Sequence, residues 1–294
     1  MLSYMRSSSR ETYRCEWKTY RCDGPPAASP RAPAGAPAVP VRIVWLFWAQ
    51  GWALAPPIVK ACARSWRRHN PRWEVRRISL SNVSTLGVSP RHARYAHVPL
   101  NNTSPYSDIV RTELLRRFGG LWADATLYCA QPIESWMPLT LPFFALKMNR
   151  TNLRDSARSF LLYASGPPQA GGLLLQLQSA GMRQFWQQPR FSVGRVANND
   201  AFGCHFYWHH IWSCLARTYA PFAKAYHALP EFPAVDQAAV YPQTHRLFRS
   251  NHVAMMTDEM RQRFDAGPIF KLTYKTSAAQ ERKGSVIDYF VSSI

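Results

Sequence analysis

A single carboxylate, Asp124, stands in the apolar stretch LWADATLYC, directly after the glycine pair Gly119-Gly120. Such a charge is costly to bury unless another group pairs with it. A metal ion or an arginine could be that partner, and backbone amides could also satisfy the carboxylate. In a parallel α/β sheet, ligands bind beyond the carboxyl ends of the strands. A carboxylate late in a central strand would therefore lie near a binding edge.

Asp108 and Arg111 lie upstream, three positions apart, in a segment with helical periodicity that ends at Gly119. This spacing places the two side chains on one face of a helix, close to the same sheet edge as Asp124. They could form a solvated local ion pair, which would contribute little to stability. Alternatively, the carboxylate could position a sugar while the guanidinium faces a phosphate.

The elements around these residues predict an α/β fold with a mainly parallel central sheet flanked by helices. VRIVWLF is long enough for one buried strand, PPIVKACARSWRRH has helical spacing, and WEVRRISL alternates like a second strand. Strand, helix and strand in close succession indicate a parallel βαβ unit. LWADATLYC, FFALKMN and IFKLTYK are predicted as further strands, and helices are predicted at 171–185, around HFYWHHIWSCLARTYAPF and at VIDYFVSSI.

Composition indicates one substantial domain, since the chain has 294 residues and is 47% hydrophobic. Residues 1–40 are Pro/Ala-rich towards their end and cannot bury a core, so we expect a disordered leader before a single domain at 41–294. The net charge of +19 favours anionic partners. The arginines are scattered rather than gathered in a stripe, which makes nucleic acid a less favoured partner than a phosphorylated substrate.

The six cysteines are irregularly spaced and include no CxxC pair, which argues against a zinc ribbon and against a disulfide scaffold. We therefore expect reduced cysteines in a cytoplasmic protein. No apolar run is long enough to span a bilayer. A basic protein could still rest on the inner, anionic face of a membrane.

The stretch SDIVRTELLRRFGGLWADATL resembles the signature SD-x-x-R…L…GG-[IL]-[WY]-x-D of a glycosyltransferase superfamily that carries a DXD motif. It is most similar to the capsular polysaccharide synthesis protein family. Three further segments resemble that family in the same order: VRIVWLFWAQG, NDAFGCHFYWHHIW and FKLTYK. The resemblance spans residues 41 to 280.

This resemblance implies a GT-A-like nucleotide-binding domain. The implied reaction transfers a sugar from a nucleotide-sugar donor to a saccharide acceptor, in capsular or other surface polysaccharide synthesis. It also implies a divalent cation, Mn²⁺ or Mg²⁺, between protein and diphosphate, because such ions prefer hard oxygen ligands.

Carried over by position, Asp124 matches the first Asp of DXD, and Thr126 stands where the second Asp would be. The resemblance thus implies one carboxylate and one hydroxyl as metal ligands. Asp108 and Arg111 match the pair that contacts the donor sugar and its phosphates. Asp108 and Asp124 are accordingly the predicted catalytic carboxylates.

Four further residues are predicted donor contacts. Trp45 matches an aromatic residue that stacks on the nucleobase, although it could equally belong to the core. Gln50 follows at the end of the same strand. Lys271 and Lys275 could close over the diphosphate and stabilise the departing charge, or they could be solvated surface lysines.

The segment HFYWHH supplies three histidines, with Asp200 upstream. His205 and His209 have the spacing of a zinc pair, but the HExxH pattern is absent. They could instead be histidines among aromatic residues that line a helix. His209 or His210 is the candidate acceptor contact, base or metal ligand, and Asp200 is a candidate base by position alone.

Two other functions stay open. Charge alone would suit a basic protein that binds nucleic acid or a membrane surface. The missing second Asp would suit a catalytically degenerate transferase fold that is kept as a scaffold.

Overall fold

The computed structural model describes residues 40–89, 103–148, 155–166, 172–187, 207–230, 255–275 and 282–293. The predicted leader, apart from Pro40, lies outside the described residues. No helix in the described part of the chain is long and apolar enough to cross a membrane.

The strands, in chain order, are β1 (Ile43–Phe47), β2 (Glu74–Ile78), β3 (Gly120–Ala123), β4 (Leu127–Cys129), β5 (Phe143–Met148), β6 (Ser156–Ala164) and β7 (Ile269–Lys271). Five of them form a central sheet in the order β2-β1-β3-β6-β5, and β4 pairs with β7 in a separate small sheet. β1 is parallel to β2 and to β3, whereas β6 is antiparallel to both β3 and β5. Four strands of the central sheet therefore run in one direction, and β6 runs against them.

The helices are α1 (Pro57–His69), α2 (Thr103–Phe118), α3 (Gly172–Trp186), α4 (Tyr207–Thr218), α5 (Ala220–His227), α6 (Asp258–Ala266) and α7 (Val286–Ser292). Short 3₁₀ turns lie at Trp52–Leu54, Val83–Leu86 and Ile133–Ser135. The predicted α/β class, with a mainly parallel sheet flanked by helices, is confirmed.

Alternating side chains of the central strands build a core on each face of the sheet. Trp45 and Trp122 belong to the larger cluster, which includes apolar residues of α2, α3, α4 and α5. Leu46 and Leu121 point the other way and pack with Trp66 of α1. Because both faces are covered, the ends of the parallel strands are the part of the sheet that can meet a ligand.

The glycine pair makes the tight passage from α2 into β3. Gly119 and Gly120 have φ angles of 67° and 91°, which L side chains rarely adopt. The Gly119 amide donates to the Leu115 carbonyl at 2.9 Å and closes the helix. A Cβ on Gly120 would lie 2.7 Å from the carbonyl oxygen of Ile43. Glycine is therefore required here for the approach of β3 to β1.

The stretch LWADATLYC is not the single strand that its apolar pattern predicted. β3 ends at Ala123, and the Asp124 amide makes a last bond to the Phe160 carbonyl of β6 at 2.9 Å. A turn follows, in which the Leu127 amide donates to the Asp124 carbonyl at 2.7 Å. The chain then continues as β4 with a different partner, β7. Asp124 thus lies where the chain leaves the central sheet, not inside a strand.

Candidate active site

The Asp124 carboxylate lies at the carboxyl end of β3 and has a partner on each oxygen. Oδ1 accepts hydrogen bonds from Nη2 of Arg111 at 3.2 Å and from Nε1 of Trp122 at 3.0 Å. Oδ2 accepts from Nζ of Lys271 at 2.6 Å. Its side chain remains 23% exposed, so the carboxylate borders solvent although it is fully paired.

Lys271 reaches Asp124 because β7 pairs with β4. Lys271 stands opposite Leu127 in that antiparallel pair, and the amide of Leu272 donates to the carbonyl of Thr126 at 2.9 Å. The Lys271 ammonium consequently lies between two oxygens, since it also donates to Oγ1 of Thr126 at 2.9 Å. The single backbone ladder between β4 and β7 therefore places Lys271 next to Asp124 and Thr126.

Arg111 links the two predicted carboxylates. Its Nη1 lies 2.9 Å from Oδ1 of Asp108, and its Nη2 donates to Oδ1 of Asp124. The guanidinium also lies over the Trp122 ring, 5.3 Å from the ring centroid. The arginine side chain is only 5% exposed, so the predicted Asp108–Arg111 pair is not a solvated surface pair. We call Asp108, Arg111, Asp124, Thr126 and Lys271 the Asp124 cluster.

The two carboxylates of this cluster have opposite pKa shifts. Burial raises the pKa of Asp108 to about 7, because the attraction of Arg111 does not offset it and the charge on Asp124 adds to it. Burial acts on Asp124 as well, but the nearby charges of Lys271 and Arg111 outweigh it and lower that pKa to about 2. One group is thus firmly ionised and the other can carry a proton near neutral pH.

The residues expected to hold Mn²⁺ or Mg²⁺ do not fit such an ion in this arrangement. Divalent cations of this kind take several oxygen ligands. Here the Lys271 ammonium already occupies the space between Asp124 Oδ2 and Thr126 Oγ1, and Asp124 Oδ1 is held by two donors. Across the described ranges, no three His, Cys, Asp or Glu side chains form a group that could bind a metal.

Trp45 lies in the core and not at the sheet edge. Its side chain is fully buried, and its Nε1 donates to the carbonyl of Gly119 at 2.8 Å. Of the two alternatives that the sequence left open, burial supports the packing role and contradicts stacking on a nucleobase. Gln50 is exposed in the turn after β1, as expected for a residue near the edge.

An aromatic pair at this edge, Trp48 and Tyr274, was not predicted from the sequence. Trp48 follows β1, and its ring meets that of Tyr274 edge to face, with centroids 5.0 Å apart. Tyr274 is 44% exposed, and it follows the strand that carries Lys271. The segment WAQG could have indicated this pair, because it places a tryptophan directly after the first strand. Lys275, the other predicted lysine, is exposed, and its backbone amide donates to Thr273 Oγ1 at 3.1 Å.

His209 is a buried histidine between α4 and β6. Its Nδ1 lies 3.2 Å from Oγ of Ser156, and its Nε2 lies 3.3 Å from Oγ of Ser159. Burial, followed by repulsion from Arg111, lowers its pKa to about 3, and burial with the Arg217 charge lowers that of half-buried His210 to about 4. Both are therefore neutral near pH 7. Serine contacts on both ring nitrogens are those of a packing residue, and they do not support the catalytic role predicted for His209.

Asp200 and His205 lie outside the described residues. Among the cysteines, Cys62 and Cys129 are buried and free, whereas Cys214 forms a disulfide whose other half lies outside the described residues. The expectation of uniformly reduced cysteines is therefore wrong for Cys214. Irregular spacing argues against a disulfide scaffold, but it leaves room for a single bridge.

Comparison with known proteins completes the description of the site. A solved structure titled "PaToxG Glycosyltransferase" is similar over 87% of this chain and 87% of that chain, at 12% identity and a TM-score of 0.41, which is too weak a likeness to carry an argument. No curated protein matches the chain. The model of the family described as "Capsular polysaccharide synthesis protein" matches residues 36–290. The chain therefore belongs to the capsular polysaccharide synthesis protein family.

Proposed function

We propose that the protein is a glycosyltransferase that moves a sugar from a nucleotide-sugar donor to a saccharide acceptor in the synthesis of a capsular or other surface polysaccharide. The observation that carries the proposal is the Asp124 cluster. Two carboxylates and two cations meet beyond β3, at the edge where α/β sheets bind ligands. Membership of the family supports the same reaction.

In this reaction, the bond between the anomeric carbon and the diphosphate oxygen breaks, and the nucleoside diphosphate leaves with the bonding electrons. A new bond forms from the anomeric carbon to an acceptor hydroxyl oxygen, and the hydroxyl proton is released to solvent. The leaving group gains negative charge as the bond breaks, so fixed cations at that position accelerate the step. Lys271 and Arg111 are the cations that the cluster offers.

The carboxylates suit the sugar. Carboxylate oxygens accept hydrogen bonds from hydroxyl groups, and a pair of them fixes the orientation of a ring. Asp124 borders solvent and is ionised, which makes it the more accessible acceptor of the two. Asp108 lies deeper and acts through Arg111 as well as by direct contact.

The test is thermal stability of the purified protein against a panel of nucleotide sugars. Wild type, Asp124→Asn and Lys224→Ala would be measured side by side, since Lys224 is an exposed lysine on α5 and serves as a control for a change of charge away from the cluster. We expect one donor class to raise the melting temperature of wild type and of Lys224→Ala but not of Asp124→Asn.

Two results would contradict the proposal in different ways. Binding to polyanions that is independent of sugar, falls steeply with salt and ignores Asp124→Asn would indicate the nucleic-acid or membrane-surface alternative. Cooperative melting with no shift for any donor would indicate a scaffold. We also propose that the protein works in the cytoplasm, against the anionic inner face of a membrane. The Cys214 disulfide is of a kind that is rare in that compartment. Recovery of the native protein in the cytosolic or inner-membrane fraction would support this placement, and recovery outside the cytoplasm would oppose it.

A further inference from the structure

We infer that this protein binds the diphosphate of its donor without a divalent metal, and that the Lys271 ammonium takes the place that Mn²⁺ or Mg²⁺ would occupy. The inference rests on the proposed function, because it concerns the same donor site. It departs from the expectation drawn from the sequence, in which Asp124 and Thr126 were the metal ligands.

The Lys271 ammonium lies between the two side chains that were expected to bind the metal. Lys271 Nζ lies 2.6 Å from Asp124 Oδ2 and 2.9 Å from Thr126 Oγ1. These are the two oxygens that a metal in this motif would need. The pairing of β7 with β4 fixes the backbone of Lys271 beside Leu127 and Thr126, which keeps the ammonium within reach of both oxygens.

The charges of the Asp124 cluster also balance without a metal ion. When Asp108 and Asp124 are both ionised, the two positive charges of Arg111 and Lys271 balance them, so the site has no net negative charge. A carboxylate at position 126 would leave an unbalanced negative charge that calls for a further cation. Thr126 removes that charge, and one lysine then suffices. The presence of Thr126 instead of a second Asp is therefore consistent with Lys271 as the cation of this site.

The exposure of its side chain also allows Lys271 to meet a phosphate. The Lys271 side chain is 19% exposed and Asp124 is 23% exposed, whereas Arg111 is nearly sealed at 5%. A lysine ammonium is a compact charge on a flexible stem. It can therefore meet a phosphate oxygen arriving from solvent while it stays near Asp124. Arg111, fixed between two carboxylates, holds Asp124 in position for this.

The experiment uses the full-length protein and the free nucleoside diphosphates UDP, GDP, CDP and ADP as probes. Their dissociation constants would be measured by calorimetry after the protein has been stripped with EDTA, and again with Mn²⁺ or Mg²⁺ added. We expect the best-binding probe to change its affinity by less than about threefold between the two conditions. Binding that appears only with metal, or becomes more than about tenfold tighter with it, would overturn the inference and leave the transferase proposal standing.

Two variants identify the lysine as the source of the effect. Lys271→Ala should weaken probe binding in EDTA by about tenfold or more, and Lys224→Ala should not. Lys271→Ala combined with Thr126→Asp should regain binding only when Mn²⁺ is present. Unchanged binding in folded Lys271→Ala would overturn the inference. Because the wild-type comparison needs no variant, it stands even if these proteins fail to fold. Absence of binding by every probe under both conditions would defeat the inference together with the proposed function.

Discussion

Helix α2 carries two buried carboxylates five residues apart, and their surroundings differ in kind. Glu113 is contacted by three arginines and one serine, all from α2 and α3; these residues, Glu113, Arg116, Arg117, Ser179 and Arg183, are called the Glu113 cluster. Asp108 belongs instead to the Asp124 cluster, whose members come from α2, from the turn after β3 and from β7.

The two clusters differ as a packing cluster differs from a candidate binding site. In the Glu113 cluster one carboxylate is surrounded by positive charge, and its pKa is lowered although burial opposes this, because Arg116 bonds to it. In the Asp124 cluster two carboxylates share two cations, and their pKa values move apart. A cluster assembled from distant segments, at a sheet edge and with split pKa values, is the arrangement typical of functional sites.

The strongest test of this contrast is a matched pair of isosteric changes, Asp124→Asn and Glu113→Gln. We expect Asp124→Asn to weaken donor binding by about 100-fold, because it leaves Arg111 and Lys271 without the charge that positions them. Donor affinity would be measured by calorimetry on protein shown to be folded by circular dichroism. Unchanged affinity in Asp124→Asn would remove the reason for placing the donor at this cluster.

Glu113→Gln should act on stability instead. The three arginines lose the negative charge of Glu113, but water can solvate them because each is about a third exposed. We therefore expect the free energy of unfolding to fall by about 1–2 kcal/mol. Urea denaturation measures this loss. The donor affinity of the folded variant should stay within about twofold of wild type. A tenfold loss of affinity would show that the two clusters are coupled.

A third test concerns the raised pKa of Asp108. The unfolded carboxyl loses its proton near its ordinary value of 3.8, whereas the folded one keeps it until about pH 7. The folded state therefore binds more protons between these values, and the stability contributed by this group falls as the pH rises through the window. His209 and His210, whose pKa values are lowered to about 3 and about 4, give the opposite slope below their ordinary value of 6.5.

Comparison with Asp108→Asn isolates the contribution of Asp108, because both proteins retain His209 and His210. We expect the stability of wild type relative to the variant to decline between about pH 4 and pH 7, by on the order of 1 kcal/mol per pH unit. Urea denaturation at a series of pH values measures this. A difference that is flat above about pH 5 would show that Arg111 keeps Asp108 ionised, as in an ordinary ion pair.

What the sequence predicted correctly is local. The strands β1 and β2, the helix α1 and the end of α2 at Gly119 follow from periodicity and from glycine, and the structure has them. The shared face of Asp108 and Arg111 follows from helix geometry alone, and the pair is present at 2.9 Å. These features need no knowledge of distant segments.

What the sequence did not predict depends on distant partners. β6 was missed because its first residues are polar; Ser156 and Ser159 are tolerated there since His209 of α4 contacts both hydroxyls. The break after β3 was missed because the apolar pattern continues while the pairing changes from β6 to β7. The contact of Lys271 with Asp124 joins residues 147 positions apart, and no local pattern encodes it.

Replacement of His209 by glutamine has the smallest expected effect and tests whether this histidine has a packing role or a functional one. His209→Gln keeps polar atoms near both serines and should lower stability by less than about 1 kcal/mol, whereas His209→Leu leaves the hydroxyls of Ser156 and Ser159 without that partner and should cost about 1–3 kcal/mol. Donor affinity and transfer rate should be unchanged in the folded glutamine variant, since both ring nitrogens already contact serine hydroxyls. Loss of transfer in His209→Gln, with stability and donor binding intact, would return this histidine to the catalytic role that its sequence context first suggested.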